Sequence, residues 1–238
     1  MSLKVQEPVE IVDFLKFEKA SSVWQETPSV RPPSERLGYR IGKRVMDIVL
    51  ALGALILLSV PVFLVVSIII VATDGFPIFY RQRRVGLNGK LFWIYKFRSM
   101  RKDADRILLE NKELLAEFEK NFKLEKDPRI TPIGNFIRKT SIDEFPQFLN
   151  VLLGNMSLVG PRPVVERELE TLYGADAAYY TAVKPGCAGL WQCSGRSDTT
   201  YEERVALDVR YVKEASLSFD VVILVRTFFA IVLKKGAR

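Results

Sequence analysis

The feature that most constrains this chain is the apolar stretch over residues 45–72, 28 residues interrupted only by Asp47, Gly53, Ser59, Pro61 and Ser67. As one straight helix it would be about 42 Å long, more than the roughly 30 Å of hydrocarbon in a bilayer. More than 40 residues precede it and no small-residue cleavage site follows, which is not the shape of a secretory leader. A buried helix of a soluble protein is not expected to stay apolar for so long. Pro61 lies near the middle, where it removes a helical hydrogen bond and clashes with the carbonyl one turn back. Each half would then reach only about 20–24 Å. Both flanks are basic, with Arg31, Arg36, Arg40, Lys43 and Arg44 before and Arg81, Arg83, Arg84, Lys90, Lys96, Arg98, Arg101 and Lys102 after. A spanning helix is oriented by an asymmetry of Lys and Arg, and none is present. The expectation is a re-entrant helix that enters one leaflet, bends at 59–61 and returns; a kinked spanning helix is the alternative these residues leave open.

Lys+Arg 35 against Asp+Glu 28 gives a net charge of +7, which suits an anionic partner such as a nucleotide phosphate or a lipid headgroup. Nucleic-acid binding would account for the charge but not for the apolar stretch, and no recognised binding motif is present. The 238 residues contain no His, so Ser-His-Asp and Cys-His catalysis and His-zinc sites are excluded. Any acid, base or nucleophile must be Asp, Glu, Lys, Cys, Ser or Tyr. Two cysteines, Cys187 and Cys193, are too few for a disulfide framework and point to a reducing compartment.

Residues 1–42 read as an arm and linker ending in a proline-rich segment, 43–74 as the re-entrant helix and 75–238 as a globular domain. Two alternating segments flank Asn88-Gly89, a strong hairpin-turn signal. Apolar spacing predicts helices over 101–120, 131–139, 143–153, 164–173 and 200–213, and an interfacial helix over 219–233 followed by Lys234 and Lys235. The expected fold class is therefore α-rich α+β, with a membrane hairpin, a small globular domain carrying a short β-hairpin, and amphipathic interfacial helices.

The chemistry concentrates downstream. In KTSIDEFPQF, Ser141 and Glu144 stand at capping-box spacing, and by pattern alone the Asp143-Glu144 pair reads first as a helix cap. The same helix terminus would also favour an ionised carboxylate and attract phosphate, and an ionised Asp beside metal-bound phosphate is a known phosphoryl-accepting nucleophile. Arg162 is held between Pro161 and Pro163, an arrangement that presents a guanidinium fork at low entropic cost. Glycines at 186, 189 and 195 end in Arg196, a weak phosphate-loop signal without Walker or dinucleotide spacing. Arg138 precedes Asp143 by five residues and comes close if the turn between them is tight. Trp93 and Trp191 read as core or membrane-interface residues.

Together, KRVMD, RQRRVGLNGKLFWIYKFRSM, DPRITPIGNFIRKTSIDEFPQFLNVLLGNMSLVGPRP and KPGCAGLWQCSGR resemble the bacterial sugar transferases, the monotopic phosphoglycosyl transferases, from Lys43 onward. The resemblance implies transfer of a sugar-1-phosphate from a UDP-sugar to polyprenyl phosphate, usually undecaprenyl phosphate, with Mg²⁺, releasing UMP and starting surface-polysaccharide synthesis. It implies 75–238 as the catalytic domain, with Asp143 as nucleophile, Glu144 as its partner in metal binding, and Arg138, Arg162, Arg196 and Lys96 as phosphate ligands. Lys43, Arg44 and Asp47 match the start of the re-entrant helix, and Ser59 and Pro61 its break, which places the site on the cytoplasmic face of the bacterial inner membrane. Val60 separates Ser59 from Pro61 where the family often has Ser-Pro, and Cys187-Ala188 replace a common Ile-Thr. The charged segment before Asp127 and the LWQCSGR ending resemble members that use glucose or galactose. The competing class is a non-catalytic membrane scaffold for polysaccharide assembly, against which the carboxylate pair among arginines argues.

Overall fold

A computed structural model describes residues 36–122, 124–194 and 199–232. Arg31, Arg196, Lys234, Lys235 and most of the arm lie outside them. The first helix, α1 (Leu37–Ala54), passes through a π-helical segment (Leu55–Ser59) into α2 (Val60–Asp74). The widened turn sits just before Pro61, where the pyrrolidine ring would otherwise meet a backbone carbonyl. The two halves bend by 59°, and among the described residues no single helix is long and apolar enough to cross a membrane, although the bent pair taken together is.

Strands β1 (Phe79–Val85) and β2 (Leu91–Phe97) form the expected antiparallel hairpin, in register from Phe79 opposite Phe97 to Val85 opposite Leu91. The loop is longer than a two-residue turn: a 3-10 segment (Leu87–Gly89) carries Asn88 and Gly89 through the left-handed region at φ 55° and 71°. The predicted helix over 101–120 is two helices, α3 (Ala104–Glu110) and α4 (Lys112–Asn121). They break at Asn111, whose side chain accepts from the amides of Glu113 and Leu114 and so starts the second helix. Helix α5 (Pro132–Lys139) begins at Thr131, whose hydroxyl accepts from Gly134 N.

The predicted helix over 143–153 is shorter and interrupted, a 3-10 turn (Ile142–Glu144) followed after Pro146 by α6 (Gln147–Leu153). Strand β3 (Ser157–Val159) leads through the Pro161-Arg162-Pro163 loop to α7 (Glu166–Tyr173) and the short α8 (Ala177–Thr181). Strand β4 (Gly186–Ala188) pairs parallel with β3, joining Val159 to Ala188, a bridge that alternation alone did not reveal. A short α9 (Leu190–Cys193), then α10 (Tyr201–Glu214) with a Thr200/Glu203 capping box, then α11 (Leu217–Val232) complete the described chain.

The main core gathers Ala51, Val151, Met156, Val159, Tyr211 and Ile223, so that α1, α6, β3, α10 and α11 share one interior. A separate cluster packs Val66 and Ile70 of α2 against Phe97 and Ile137. Both halves of the bent helix pair are thus seated on the globular domain. The bend itself and the outer faces stay apolar and exposed, as at Ile56, Leu57, Leu64 and Ile68 on the pair and Val221, Val225, Phe228 and Phe229 on α11.

Polar residues hold the pair in place. Arg44 donates to the carbonyls of Val151 (2.6 Å) and Leu152 (2.7 Å), capping the C-terminus of α6. Buried Asp47 accepts from Ser157 Oγ (3.0 Å) and Leu158 N (2.9 Å). Lys43 donates to Asp220 Oδ2 (2.8 Å) and to Tyr211 OH (3.1 Å). At the other end, Arg98 donates to the carbonyls of Asp74 and Gly75, closing α2. Lys43, Arg44 and Asp47 are therefore fastenings between the helix pair and the domain.

Candidate active site

The turn that carries Asp143 and Glu144 is built by local geometry. Helix α5 ends at Thr140, whose hydroxyl bonds back to Phe136 O. Ser141 then adopts φ 59°, and Glu144 N donates to the Ser141 carbonyl at 3.2 Å. Ser141 makes no side-chain cap. The capping-box reading is thereby corrected: Ser141 turns the chain with its backbone, and Glu144 instead accepts from Lys96 Nζ at 2.7 Å.

Asp143 is 8% exposed. Burial raises its pKa to about 6; Lys96 is the strongest opposing influence, Glu144 raises it further, and Arg138 and Arg162 lower it. Of the residues singled out by sequence, Lys96, Arg138 and Arg162 are thus brought within electrostatic reach of Asp143. Arg138 projects exposed from the last turn of α5. Arg196 lies outside the described residues, as does the role assigned to it.

Asn150 was not singled out, yet it fixes the site's frame. It is fully buried on α6, accepting from Tyr95 N at 3.1 Å and donating to Trp93 O at 2.7 Å. Its amide satisfies the free edge of β2 and sets the strand bearing Lys96 against the helix that follows Glu144. An Asn in the middle of an apolar helical face was the readable signal.

The glycines at 186 and 189 serve packing. A Cβ on Gly186 would meet Gly160 N at 2.1 Å, and one on Gly189 would meet Gly160 O at 2.6 Å. Gly186 N already donates to Pro161 O at 2.8 Å, so it is committed to the bridge beneath the Arg162 loop. Cys187 sits in that bridge, its thiol pKa pushed up by burial and then by the Glu144 charge.

A buried charged layer lies behind Arg162. Glu168 pairs with Arg204 (3.1 Å) and stands 3.8 Å from Arg84, and Tyr201 OH donates to it in a short hydrogen bond. Asp208 accepts from Tyr173 OH at 2.7 Å. Arg204, Asp208 and Tyr211 fall at i, i+4 and i+7 on the inward face of α10, a polar stripe at core spacing that the periodicity contained. Trp191 is only half-buried, with the guanidinium carbons of Arg204 and Arg162 at 4.8 and 5.5 Å from its ring centre. Trp93 likewise carries Arg81 and Arg83, at 4.7 and 5.3 Å.

No group of three or more His, Cys, Asp or Glu able to hold a metal comes together among the described residues. Two adjacent carboxylates do fit Mg²⁺, which is commonly held by one or two carboxylates together with substrate phosphates.

Residues 38–234 match the bacterial sugar transferase family. The chain belongs to this family. It is 46% identical over 217 residues to the exopolysaccharide production protein ExoY of Sinorhizobium fredii, an alignment covering 90% of this chain and 93% of that relative. It is 49% identical over 206 residues to the undecaprenyl-phosphate galactose phosphotransferase of Salmonella typhimurium, covering 83% of this chain and 42% of that protein. Identity is 38% over 205 residues to the UDP-glucose:undecaprenyl-phosphate glucose-1-phosphate transferase of Escherichia coli, again 83% of this chain and 42% of that protein.

Proposed function

We propose that this chain transfers a sugar-1-phosphate from a UDP-sugar to undecaprenyl phosphate, beginning the assembly of an exopolysaccharide. The observation that carries the reading is the buried Asp143 beside a Lys96-paired Glu144, with Arg138 and Arg162 acting on the same carboxylate. In the first step an Asp143 oxygen attacks the sugar-bearing phosphorus of the UDP-sugar. The bond from that phosphorus to the bridging oxygen breaks, UMP departs, and the sugar phosphate remains on Asp143 as an acyl phosphate. In the second step an oxygen of the lipid phosphate attacks the same phosphorus and expels the Asp143 carboxylate. Arg138 and Arg162 bind phosphate oxygens and stabilise charge that spreads onto them, while Lys96 orients Glu144. Asp143 and Glu144 would hold Mg²⁺ together with the diphosphate, and the ion would neutralise charge on the departing UMP.

The bent helix pair serves as a re-entrant anchor in the inner membrane, with the site on the cytoplasmic face where UDP-sugars meet the lipid headgroup. The reading is supported by the fastening of both ends of the pair to one domain, through Lys43, Arg44 and Asp47 at one end and Arg98 at the other. A hexose, galactose or glucose, is the expected sugar. The higher identity to relatives named for galactose than to those named for glucose favours galactose.

The test is UMP release from UDP-galactose, UDP-glucose and an N-acetylated UDP-sugar, each with and without undecaprenyl phosphate. UDP-galactose labelled in the sugar, given without lipid, is expected to leave a hydroxylamine-labile label on the protein, and Asp143→Asn to lose both label and turnover. Substantial turnover by a folded Asp143→Asn protein would mean direct attack by the lipid phosphate. No UMP release with any of these sugars would sink the enzymatic reading in favour of a scaffold.

A further inference from the structure

The setting of Arg162 extends well beyond its two prolines. The loop that carries it and the short helix α9 that carries Trp191 both leave the β3–β4 bridge from one paired position, Val159 with Ala188. Three residues on from Val159 stands Arg162, and three on from Ala188 stands Trp191. The parallel bridge thus delivers a guanidinium and an indole side by side, with Arg162 Cζ 5.5 Å from the ring centre. The ring is itself held: Trp191 Nε1 donates to Thr199 Oγ1 at 2.7 Å, and Arg204 lies 4.8 Å from the ring centre.

Arg204 is fixed in turn by Glu168 at 3.1 Å and by a hydrogen bond to Tyr201 OH at 3.2 Å. Arg84 reaches the backbone of the same loop, donating to the Pro163 carbonyl at 3.0 Å. Beneath the loop, Val85 N donates to Val164 O, and Val164 N donates to Tyr180 OH. The formal charges of Arg84, Arg204, Glu168 and Asp208 cancel, and the positive charge of Arg162 acts on Asp143 electrostatically. A long guanidinium side chain is rotamer-rich, and an aromatic face that attracts a cation restricts it.

We propose that Trp191 is a positioning residue for the transfer: its ring, braced by Arg204, holds the Arg162 guanidinium in the orientation that grips the phosphate. This rests on the assignment of Arg162 under the proposed function and adds to it the group through which Arg162 is held. Trp191 acts through Arg162 rather than by touching substrate, so its effect depends on Arg162 being present.

The experiment is a double-mutant cycle on UMP release, with kcat and KM for the UDP-sugar measured separately and thermal melting as the folding control. With Arg162 in place, Trp191→Leu is expected to lower kcat by about three- to thirtyfold, the range for loss of a partly desolvated cation–π contact. Trp191→Phe keeps an aromatic face and is expected to retain most of the rate. In the Arg162→Ala background, either Trp191 change is expected to shift the remaining rate less than about twofold. Penalties that multiply in that background would overturn the proposal while leaving the enzymatic reading intact. If Trp191→Leu melts out, Trp191→Met, which also removes the aromatic face, takes its place in the cycle: a loss that persists without Arg162, or no loss with Arg162 present, overturns the proposal. Normal turnover by Arg162→Ala removes Arg162 from phosphate binding and this inference with it, and an inactive wild-type protein defeats the functional reading on which both depend.

Discussion

In the proposed mechanism Asp143 has to be ionised to attack, in surroundings that resist its ionisation. With its pKa raised to about 6 by burial, the free enzyme is expected to lose kcat/KM for the UDP-sugar as pH falls through about 6. Measuring formation of the labelled adduct without lipid isolates this limb from titration of the lipid phosphate. Lys96→Met removes the strongest influence favouring the anion, so the limb should move to higher pH. An unmoved limb would assign it to another group. The same shift has a sign for stability. A carboxyl whose folded pKa lies above its unfolded value stabilises the fold most when pH is below the unfolded value, near 3.8, and that contribution is lost as pH rises through about 6. At pH 8 the anion opposes folding by up to roughly 2–3 kcal/mol, from about 1.4 kcal/mol per unit. Asp143→Asn is therefore expected to melt above wild type at pH 8, with the difference closing toward pH 4. Equal melting at pH 8 would show that Lys96 and the arginines fully offset the burial.

Elements were legible where pattern and caps agreed and obscure where long-range contacts decide. The hairpin over Phe79–Val85 and Leu91–Phe97 follows from alternation around Asn88-Gly89, and the helices after Thr131 and Thr200 follow from apolar spacing, with the threonine caps supplied by the structure. The break at Asn111 did not, because its amide satisfies the next helix only once the chain turns. The β3–β4 bridge did not either, since each strand is three residues long and its partner is nearly thirty positions away. The carboxylate pair was readable as a motif, whereas the role of Ser141 was inverted, because positive φ at a serine leaves no mark on spacing. Two changes probe these contacts. Gly186→Ala places a methyl against backbone that has nowhere to move, and is expected to lower stability by about 1–3 kcal/mol. Asn150→Ala strands Tyr95 N and Trp93 O and is expected to destabilise by about 2–4 kcal/mol. Both are checked by denaturant unfolding of the purified protein in lipid nanodiscs. A stability change under about 0.5 kcal/mol in either variant, the ordinary range for a surface substitution, would mean that its contact is not part of the frame.

At the scale of the whole molecule, the re-entrant reading has to explain how the 28-residue stretch over 45–72 keeps both its ends on one side of a bilayer. Pro61 and the π-helical segment bend the pair by 59°, and the fastenings hold both ends on one domain. A crossing helix would have to release either the Lys43–Asp220 and Asp47 contacts at one end or the packing of Val66 and Ile70 against Phe97 at the other. The expectation for intact cells carrying Val30→Cys or Lys235→Cys is that an impermeant thiol reagent labels neither until the membrane is opened, with background from Cys187 and Cys193 measured in parallel. Pro61→Leu restores the missing helical hydrogen bond but leaves the fastenings, so it should expose Val30→Cys to the outside in only a fraction of molecules. Adding Asp47→Ala, which leaves Ser157 and Leu158 N without their acceptor, removes one end's hold and should enlarge that fraction. Labelling of Val30→Cys from outside in the otherwise unchanged protein would refute the re-entrant reading, and a labelled fraction in Pro61→Leu unaffected by Asp47→Ala would show that the bend, not the anchoring, sets the topology.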